Sequence, residues 1–139
     1  MIPLLEAAEP KGCGRLVNVA SMAGRLNQLK PPLAAKFADP ALTLDGLNGL
    51  VGSFEAAVQA GTHAADGWSS SNYGMSKLSL IAATKVLARD HPAVRINACC
   101  PGYCDTDMTS HKGRCTFPPA VSFVQHGLDG SAFPNPMLK

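Results

Sequence analysis

Residues 73–99 read YGMSKLSLIAATKVLARDHPAVRINAC and combine a helix pattern with a strand pattern. The apolar residues of the first part recur at helical spacing, and these are Leu78, Ile81, Ala82 and Val86. Asp90-His91-Pro92 ends this pattern because proline cannot continue a helix. Residues 94–99 are apolar and stop at the turn signal Pro101-Gly102. We therefore predict a helix from about Tyr73 to Arg89, followed by a buried strand.

A second strand is predicted upstream, at residues 15–20 (RLVNVA), which are short, apolar and β-branched. A strand, a helix and a parallel strand form a right-handed crossover unit, and near-continuous apolar strands suit a parallel sheet covered on both faces. Between the strands, a further helix is predicted from about Leu44 to Ala60, with Thr43 as its N-cap and Gly61 as its stop. The fold class predicted is α/β.

The composition narrows the possible functions. The 139 residues are 46% hydrophobic and carry a net charge of +2, which predicts one folded domain. Lysine and arginine are scattered, so we expect no nucleic-acid partner. No apolar run approaches the ~20 residues that span a bilayer, and no secretory signal is recognisable, so we expect no membrane partner and a cytoplasmic location. The five cysteines contain no Cys-x-x-Cys pair and the histidines are far apart, so we expect no metal.

Three residues are candidates for chemistry. Tyr73 and Lys77 are four residues apart, so on a helix they share a face, and an ammonium group beside a phenol favours the phenolate. Ser21 follows the first strand, where open α/β sheets bind ligands, and its hydroxyl could hold a substrate carbonyl oxygen. Taken singly, each has a plainer interpretation: a surface tyrosine stacked on a lysine stem, and a serine that caps a turn.

Three segments together resemble the short-chain dehydrogenase/reductase family. They are RLVNVASMAG (residues 15–24), SSNYGMSK (70–77) and RINACCPGYCDTDM (95–108), in the family's order. The last segment is most similar to the carbonyl reductase branch. The separation of 52 residues between Ser21 and Tyr73 also resembles this branch, which has a helical insertion here, at about residues 22–67. The resemblance implies a doubly wound, Rossmann-like parallel sheet.

The resemblance also implies a function, the NADPH-dependent reduction of small-molecule carbonyl compounds (ketones, aldehydes and quinones) by hydride transfer. In that function Tyr73 is the general acid that protonates the carbonyl oxygen. Lys77 favours ionisation of the Tyr73 phenol and binds the nicotinamide ribose, so both residues contact the cofactor. Ser21 holds the carbonyl oxygen of the substrate.

Further positions carry over to the loop after the second predicted strand. Pro101, Gly102 and Thr106 match positions that line the nicotinamide pocket, and Tyr103 matches an aromatic position beside the substrate. Members of this branch prefer NADPH, and the insertion favours monomers.

The chain also departs from the family pattern. It has no glycine-rich dinucleotide fingerprint, because Gly12-x-Gly14 precedes a strand and lacks the third glycine. Residues 1–112 resemble the C-terminal half of the family domain, with the N-terminal strands missing, whereas residues 113–139 diverge and are predicted to be an irregular tail. An incomplete sheet exposes an edge that invites association. The alternative is therefore a catalytically inactive fragment without a cofactor site, at most a partner-binding chain.

Overall fold

The computed structural model describes residues 1–113 and the backbone of Ser122–Val124. These residues include three strands: β1 (Arg15–Val19), β2 (Arg95–Cys100) and β3 (Ser122–Val124). The α-helices are α1 (Ile2–Glu6), α2 (Pro31–Ala38), α3 (Leu44–Gln59), α4 (His63–Asp66) and α5 (Asn72–Asp90). Three short 3₁₀ turns complete the described elements: Met22–Gly24, Leu26–Gln28 and Asp107–Thr109.

The described sheet has the order β1-β2-β3. β1 and β2 are parallel, in a register that runs from Arg15 opposite Arg95 to Val19 opposite Cys99. The α/β class and the parallel pair joined through a helix are therefore confirmed. The two long predicted helices and both predicted strands are found, and each end lies within one residue of its predicted position. Within the described residues β1 pairs with β2 alone, so its other side is an open edge.

The strand β3 corrects one expectation. Residues 113–139 were expected to be irregular, but Ser122–Val124 pair antiparallel with β2, with Cys99 opposite Phe123. Three residues are too few to show the alternation by which a strand is recognised in a sequence, so this strand is specified by its pairing with β2. The rest of that prediction lies outside the described residues.

Helix α5 connects the two parallel strands and covers one face of the sheet. Its N-terminus is capped by Ser71, whose Oγ accepts a hydrogen bond from the Gly74 N–H at 2.9 Å. Ile81 packs with Ala20 and Ala98 beneath the helix. Thr84 is fully buried here, where its Oγ1 accepts from the Asn18 amide at 2.9 Å. This hydrogen bond ties α5 to β1, the more exposed strand.

The residues between β1 and α5 form a second cluster of buried side chains. Its centre is Trp68, whose ring lies 6.4 Å from the ring of Phe37 and 5.7 Å from that of Phe54. Met75 and Leu78 bring α5 into the same cluster. The insertion is thus packed onto the helix that carries the candidate catalytic residues. None of the helices in the described part of the chain is long and apolar enough to cross a membrane.

Candidate active site

Ser21 lies where β1 ends and the first 3₁₀ turn begins. Its Oγ accepts a hydrogen bond from the Ala23 N–H at 3.1 Å, so the hydroxyl hydrogen is available to donate to a ligand. The Met22 N–H donates to Sγ of Cys100 at 3.3 Å, which ties this turn to the end of β2. The plainer interpretation of Ser21, a serine that caps a turn, is correct as a local description, and it leaves the chemical role open.

Tyr73 and Lys77 occupy the first two turns of α5. Lys77 Nζ lies 5.7 Å from the centre of the Tyr73 ring and donates a hydrogen bond to the Val19 carbonyl oxygen at 2.9 Å. Val19 is the last residue of β1, two positions before Ser21. The structure therefore brings Lys77 and Tyr73 to the strand end that carries Ser21. The Tyr73 side chain is 55% exposed, so its hydroxyl can meet a ligand from solvent.

The Val19 carbonyl is an edge group of the sheet. The Ala20 N–H donates to Cys99 and the Gly14 carbonyl accepts from Arg95, so even-numbered residues of β1 bond to β2. Since bonding alternates along a parallel ladder, Val19 directs its carbonyl away from β2. Lys77 therefore occupies a hydrogen-bonding position on the open edge of β1.

The first 3₁₀ turn and α5 approach each other closely through glycine. A Cβ added at Gly24 would lie 2.7 Å from the carbonyl carbon of Lys77 and 2.8 Å from the nitrogen of Leu78. The backbone after Ser21 thus rests directly on the backbone of the helix that carries Lys77. Sequence reasoning missed this contact because a single glycine in a turn does not indicate what lies next to it.

The loop after β2 contains the remaining predicted residues. Gly102 has a positive φ of 86°, which lets the chain turn at the strand end. Thr106 caps the 3₁₀ turn Asp107–Thr109, with its backbone N–H donating to Thr109 Oγ1 at 3.1 Å. Tyr103 is 54% exposed. Within residues 1–113, no hydrogen bond joins Pro101, Gly102, Tyr103 or Thr106 to the Ser21–Tyr73–Lys77 group, although the loop leaves the same edge of the sheet.

Three side chains in the C-terminal part of α5 have shifted pKa values. Burial lowers the pKa of Lys85, two turns further along α5. At the end of the helix, a hydrogen bond from Arg89 lowers the pKa of the Asp90 carboxyl, and the same bond raises the pKa of Arg89. The distance between Arg89 Nε and Asp90 Oδ1 is 2.7 Å, and both side chains are solvent-exposed. We interpret these three groups as parts of the helix surface rather than of the candidate site.

Two other sequence features can be located. Gly12 and Gly14 lie ahead of β1 and are followed by a strand, not by the helix that a dinucleotide fingerprint opens. Among the residues that the structure describes, no group of three His, Cys, Asp or Glu side chains could hold a metal ion.

Comparison with known proteins identifies the family. The short-chain dehydrogenase/reductase family model described as "Enoyl-(Acyl carrier protein) reductase" matches residues 50–122. "Carbonyl reductase [NADPH] 1" from Sus scrofa is 37% identical over 117 residues, which cover 78% of this chain and 40% of the relative. "(+)-Neomenthol dehydrogenase" from Capsicum annuum is 39% identical over 119 residues, covering 83% of this chain and 37% of the relative.

A solved structure agrees with these relatives. Salutaridine reductase from Papaver somniferum superimposes with a TM-score of 0.74 at 31% sequence identity, over 83% of this chain and 40% of that chain. The chain therefore spans about two fifths of the length of the relatives it matches. These matches confirm the resemblance to the carbonyl reductase branch and the Rossmann-like fold that it implied. The chain belongs to the short-chain dehydrogenase/reductase family.

Proposed function

We propose that this chain carries the catalytic group of an NADPH-dependent oxidoreductase that reduces small ketones, aldehydes and quinones. One observation supports this most directly. Lys77 contacts both the Tyr73 ring and the last carbonyl of β1, so an acid, a cation and the Ser21 hydroxyl share one end of the sheet. Open α/β sheets bind their ligands at this end. In this proposal residues 1–112 act as one unit, and 113–139 take no part in the chemistry.

The described side chains fit the nicotinamide end of the cofactor. NADPH, when bound, supplies the hydride, and the protein orients and polarises the reactants. The Lys77 ammonium has three N–H donors, of which one bonds to Val19, so two remain for the ribose hydroxyls. Pro101, Gly102 and Thr106 would line the nicotinamide pocket. The name of the Sus scrofa relative, carbonyl reductase [NADPH] 1, agrees with this choice of cofactor.

Three side chains would take part in protonating the substrate carbonyl: one transfers the proton and two stabilise the developing charge. The Tyr73 hydroxyl would give its proton to the substrate carbonyl oxygen, which gains negative charge as the carbonyl is reduced. The Ser21 hydroxyl donates a hydrogen bond to the same oxygen and stabilises the developing charge. The Lys77 ammonium stabilises the phenolate that Tyr73 becomes. Tyr103, exposed on the loop after β2, would border the substrate.

A turnover assay tests the proposal. The full chain would be mixed with NADPH and either benzaldehyde or acetophenone, and oxidation of the cofactor followed by absorbance. We expect slow, saturable turnover that Tyr73→Phe reduces at least ~100-fold, because general acid catalysis contributes about 10²–10⁴-fold. Ser21→Ala should also reduce turnover. Ser53→Ala is the matched control, since Ser53 Oγ only bonds to the Gly49 carbonyl on the exposed side of α3. Equal rates for Tyr73→Phe and the unaltered chain would overturn the proposal.

The open edge of β1 favours a second candidate function, that of a catalytically inactive chain that binds a partner. Val17 and Val19 are 46% and 55% exposed on this strand. An exposed strand edge pairs readily with another strand, and the carbonyl now held by Lys77 would take part in that pairing. This function predicts a concentration-dependent mass in sedimentation that Val17→Lys abolishes. A monomer at all concentrations, which the insertion favours, would contradict it.

A further inference from the structure

Gln28 joins the two segments that carry the candidate catalytic residues. Its side-chain Nε2 donates to the carbonyl oxygens of Ala23 and Arg25, both at 2.9 Å. The same nitrogen lies 3.3 Å from the carbonyl oxygen of Gly74. Ala23 and Arg25 belong to the turn that follows Ser21, and Gly74 follows Tyr73 directly. One carboxamide thus links the backbone next to Ser21 with the backbone next to Tyr73.

The surrounding contacts leave this link little freedom. A Cβ added at Gly74 would meet the Gln28 Oε1, and it would lie 3.1 Å from the Ala23 carbonyl oxygen. Gly24 rests on the Lys77 and Leu78 backbone in the same region. Backbone contact therefore limits how closely the two segments can approach, and the Gln28 carboxamide is the polar group that holds them at that separation.

The chemistry of the link requires an amide. Three carbonyl oxygens face one nitrogen, and an amide NH₂ offers two hydrogens to share among them. A carboxylate or a thioether of similar length has no N–H to donate, so the three oxygens would face a group that repels them or ignores them. Leucine, isoleucine and methionine would fill the space without holding the two segments together.

We propose that Gln28 is a positioning residue, which sets the distance between the Ser21 hydroxyl and the Tyr73 hydroxyl around the substrate carbonyl oxygen. This inference rests on the proposed reductase function. Catalytic groups must be held close to their reactive geometry, and a displacement of about 1 Å can cost about 100-fold in rate. Gln28 touches neither substrate nor cofactor in this account, so its effect should fall on kcat rather than on cofactor affinity.

The test compares Gln28→Met and Gln28→Glu with the unaltered chain in the same turnover assay. We expect kcat to fall about tenfold or more, with the KM for NADPH changed less than about twofold. Gln59→Met is the matched control, because Gln59 is exposed at the end of α3. Gln28→Asn keeps the amide on a shorter stem and should recover part of the lost rate.

Nuclear magnetic resonance gives a second test, which measures whether Gln28 holds the two segments together. Nuclear Overhauser contacts between Gly74 and Ala23 protons are expected in the unaltered chain and should weaken in Gln28→Met. Contacts that persist in Gln28→Met would overturn the link, and contacts that weaken while kcat stays constant would overturn the positioning role. If Tyr73→Phe does not change turnover, the reductase function itself fails. If Tyr73→Phe abolishes turnover and Gln28→Met leaves it intact, the positioning inference alone fails.

Discussion

β1 and β2 are partners in one parallel ladder, yet their surroundings differ sharply. Ala98, in the middle of β2, is fully buried, whereas Val17 in the middle of β1 is 46% exposed. β2 has a strand on each side and α5 above it, while β1 has a described strand on one side only. The side chains of β2 are therefore more deeply buried than those of β1. The candidate site lies at the carboxyl ends of both strands and depends on both.

The two strands, and with β1 the position of Ser21, are also held by different kinds of contact. On the β2 side, position is fixed by buried apolar side chains such as Ile96 and Ala98. On the β1 side, Ala20 is the one buried residue of 15–20, and the other contacts are polar: Asn18 with Thr84, Lys77 with Val19, and Met22 with Cys100. Polar contacts of this kind contribute about 1 kcal/mol each, so the β1 side should be the easier one to disturb.

The largest expected effect comes from placing the same charge on each strand. Ala98→Asp buries a carboxylate with no partner and should destabilise the chain by more than about 4 kcal/mol, enough to prevent folding. Val17→Asp, on the exposed strand, should cost about 1 kcal/mol or less. Urea unfolding followed by the fluorescence of Trp68, the chain's single tryptophan, should give a transition for Val17→Asp and none for Ala98→Asp. Similar losses from the two variants would contradict the asymmetry between the strands.

Alanine substitutions at two glycines should change the free energy of unfolding by smaller amounts and in opposite directions. Gly24→Ala forces a methyl group against the α5 backbone and should cost about 1–3 kcal/mol. Gly52→Ala, inside α3 with nothing within 4 Å of the added carbon, should stabilise the chain by up to about 1 kcal/mol. The same unfolding experiment reports both free energies. Two changes of equal sign would show that the turn after Ser21 does not rest on α5 as described.

The hydrogen bond between Asn18 of β1 and Thr84 of α5 should contribute a similar or smaller free energy to stability. Thr84→Val keeps the shape of the side chain but removes the hydroxyl that receives the Asn18 amide, and we expect a loss of about 1–2 kcal/mol. The loss should be smaller when Asn18 is first replaced by leucine, because Thr84→Val then removes only the hydrogen bond that its hydroxyl donates to the Leu80 carbonyl oxygen at 2.7 Å. A double-mutant cycle by urea unfolding gives this coupling, and additive losses would exclude the hydrogen bond as its cause.

The smallest expected loss of stability comes from removing the N-terminal cap of α5. Ser71→Ala removes the acceptor of the Gly74 N–H and should cost about 1 kcal/mol. Thr43→Ala removes the equivalent contact with Gly46 at the start of α3 and serves as the reference. If the link through Gln28 holds the first turn of α5, Ser71→Ala should also lower turnover more than Thr43→Ala does. Equal turnover in the two variants would show that the cap does not influence the site.

The sequence was sufficient for elements with a long or strong pattern. α5, α3, β1 and β2 were predicted because their apolar spacing and end signals are local. α2 was not predicted, although Pro31 and Pro32 occupy first-turn positions where proline is favoured and indicate where this helix begins. β3 could not be predicted because three residues carry no period.

The candidate site likewise contains residues that a local sequence pattern indicates and contacts that no local pattern indicates. Tyr73 and Lys77 share a helix face through their spacing, and Ser21 follows a predicted strand, so the sequence alone makes all three candidates. Gln28 was missed because its contact with Gly74 spans 46 residues, and no local pattern encodes such a contact. Exposed edge carbonyls such as that of Val19 become recognisable only when the sheet order is known.

NADPH binding tests most directly whether Tyr73 and Lys77 form the nicotinamide end of a cofactor site. The full chain would be titrated with NADPH by cofactor fluorescence, beside the double variant Tyr73→Phe, Lys77→Ala and the control Lys36→Ala on α2. Since no glycine-rich phosphate loop lies in this sequence, we expect weak, millimolar but saturable binding that the double variant loses and the control keeps. Identical titration curves for the unaltered chain and the double variant, or no binding at millimolar NADPH, would contradict this assignment.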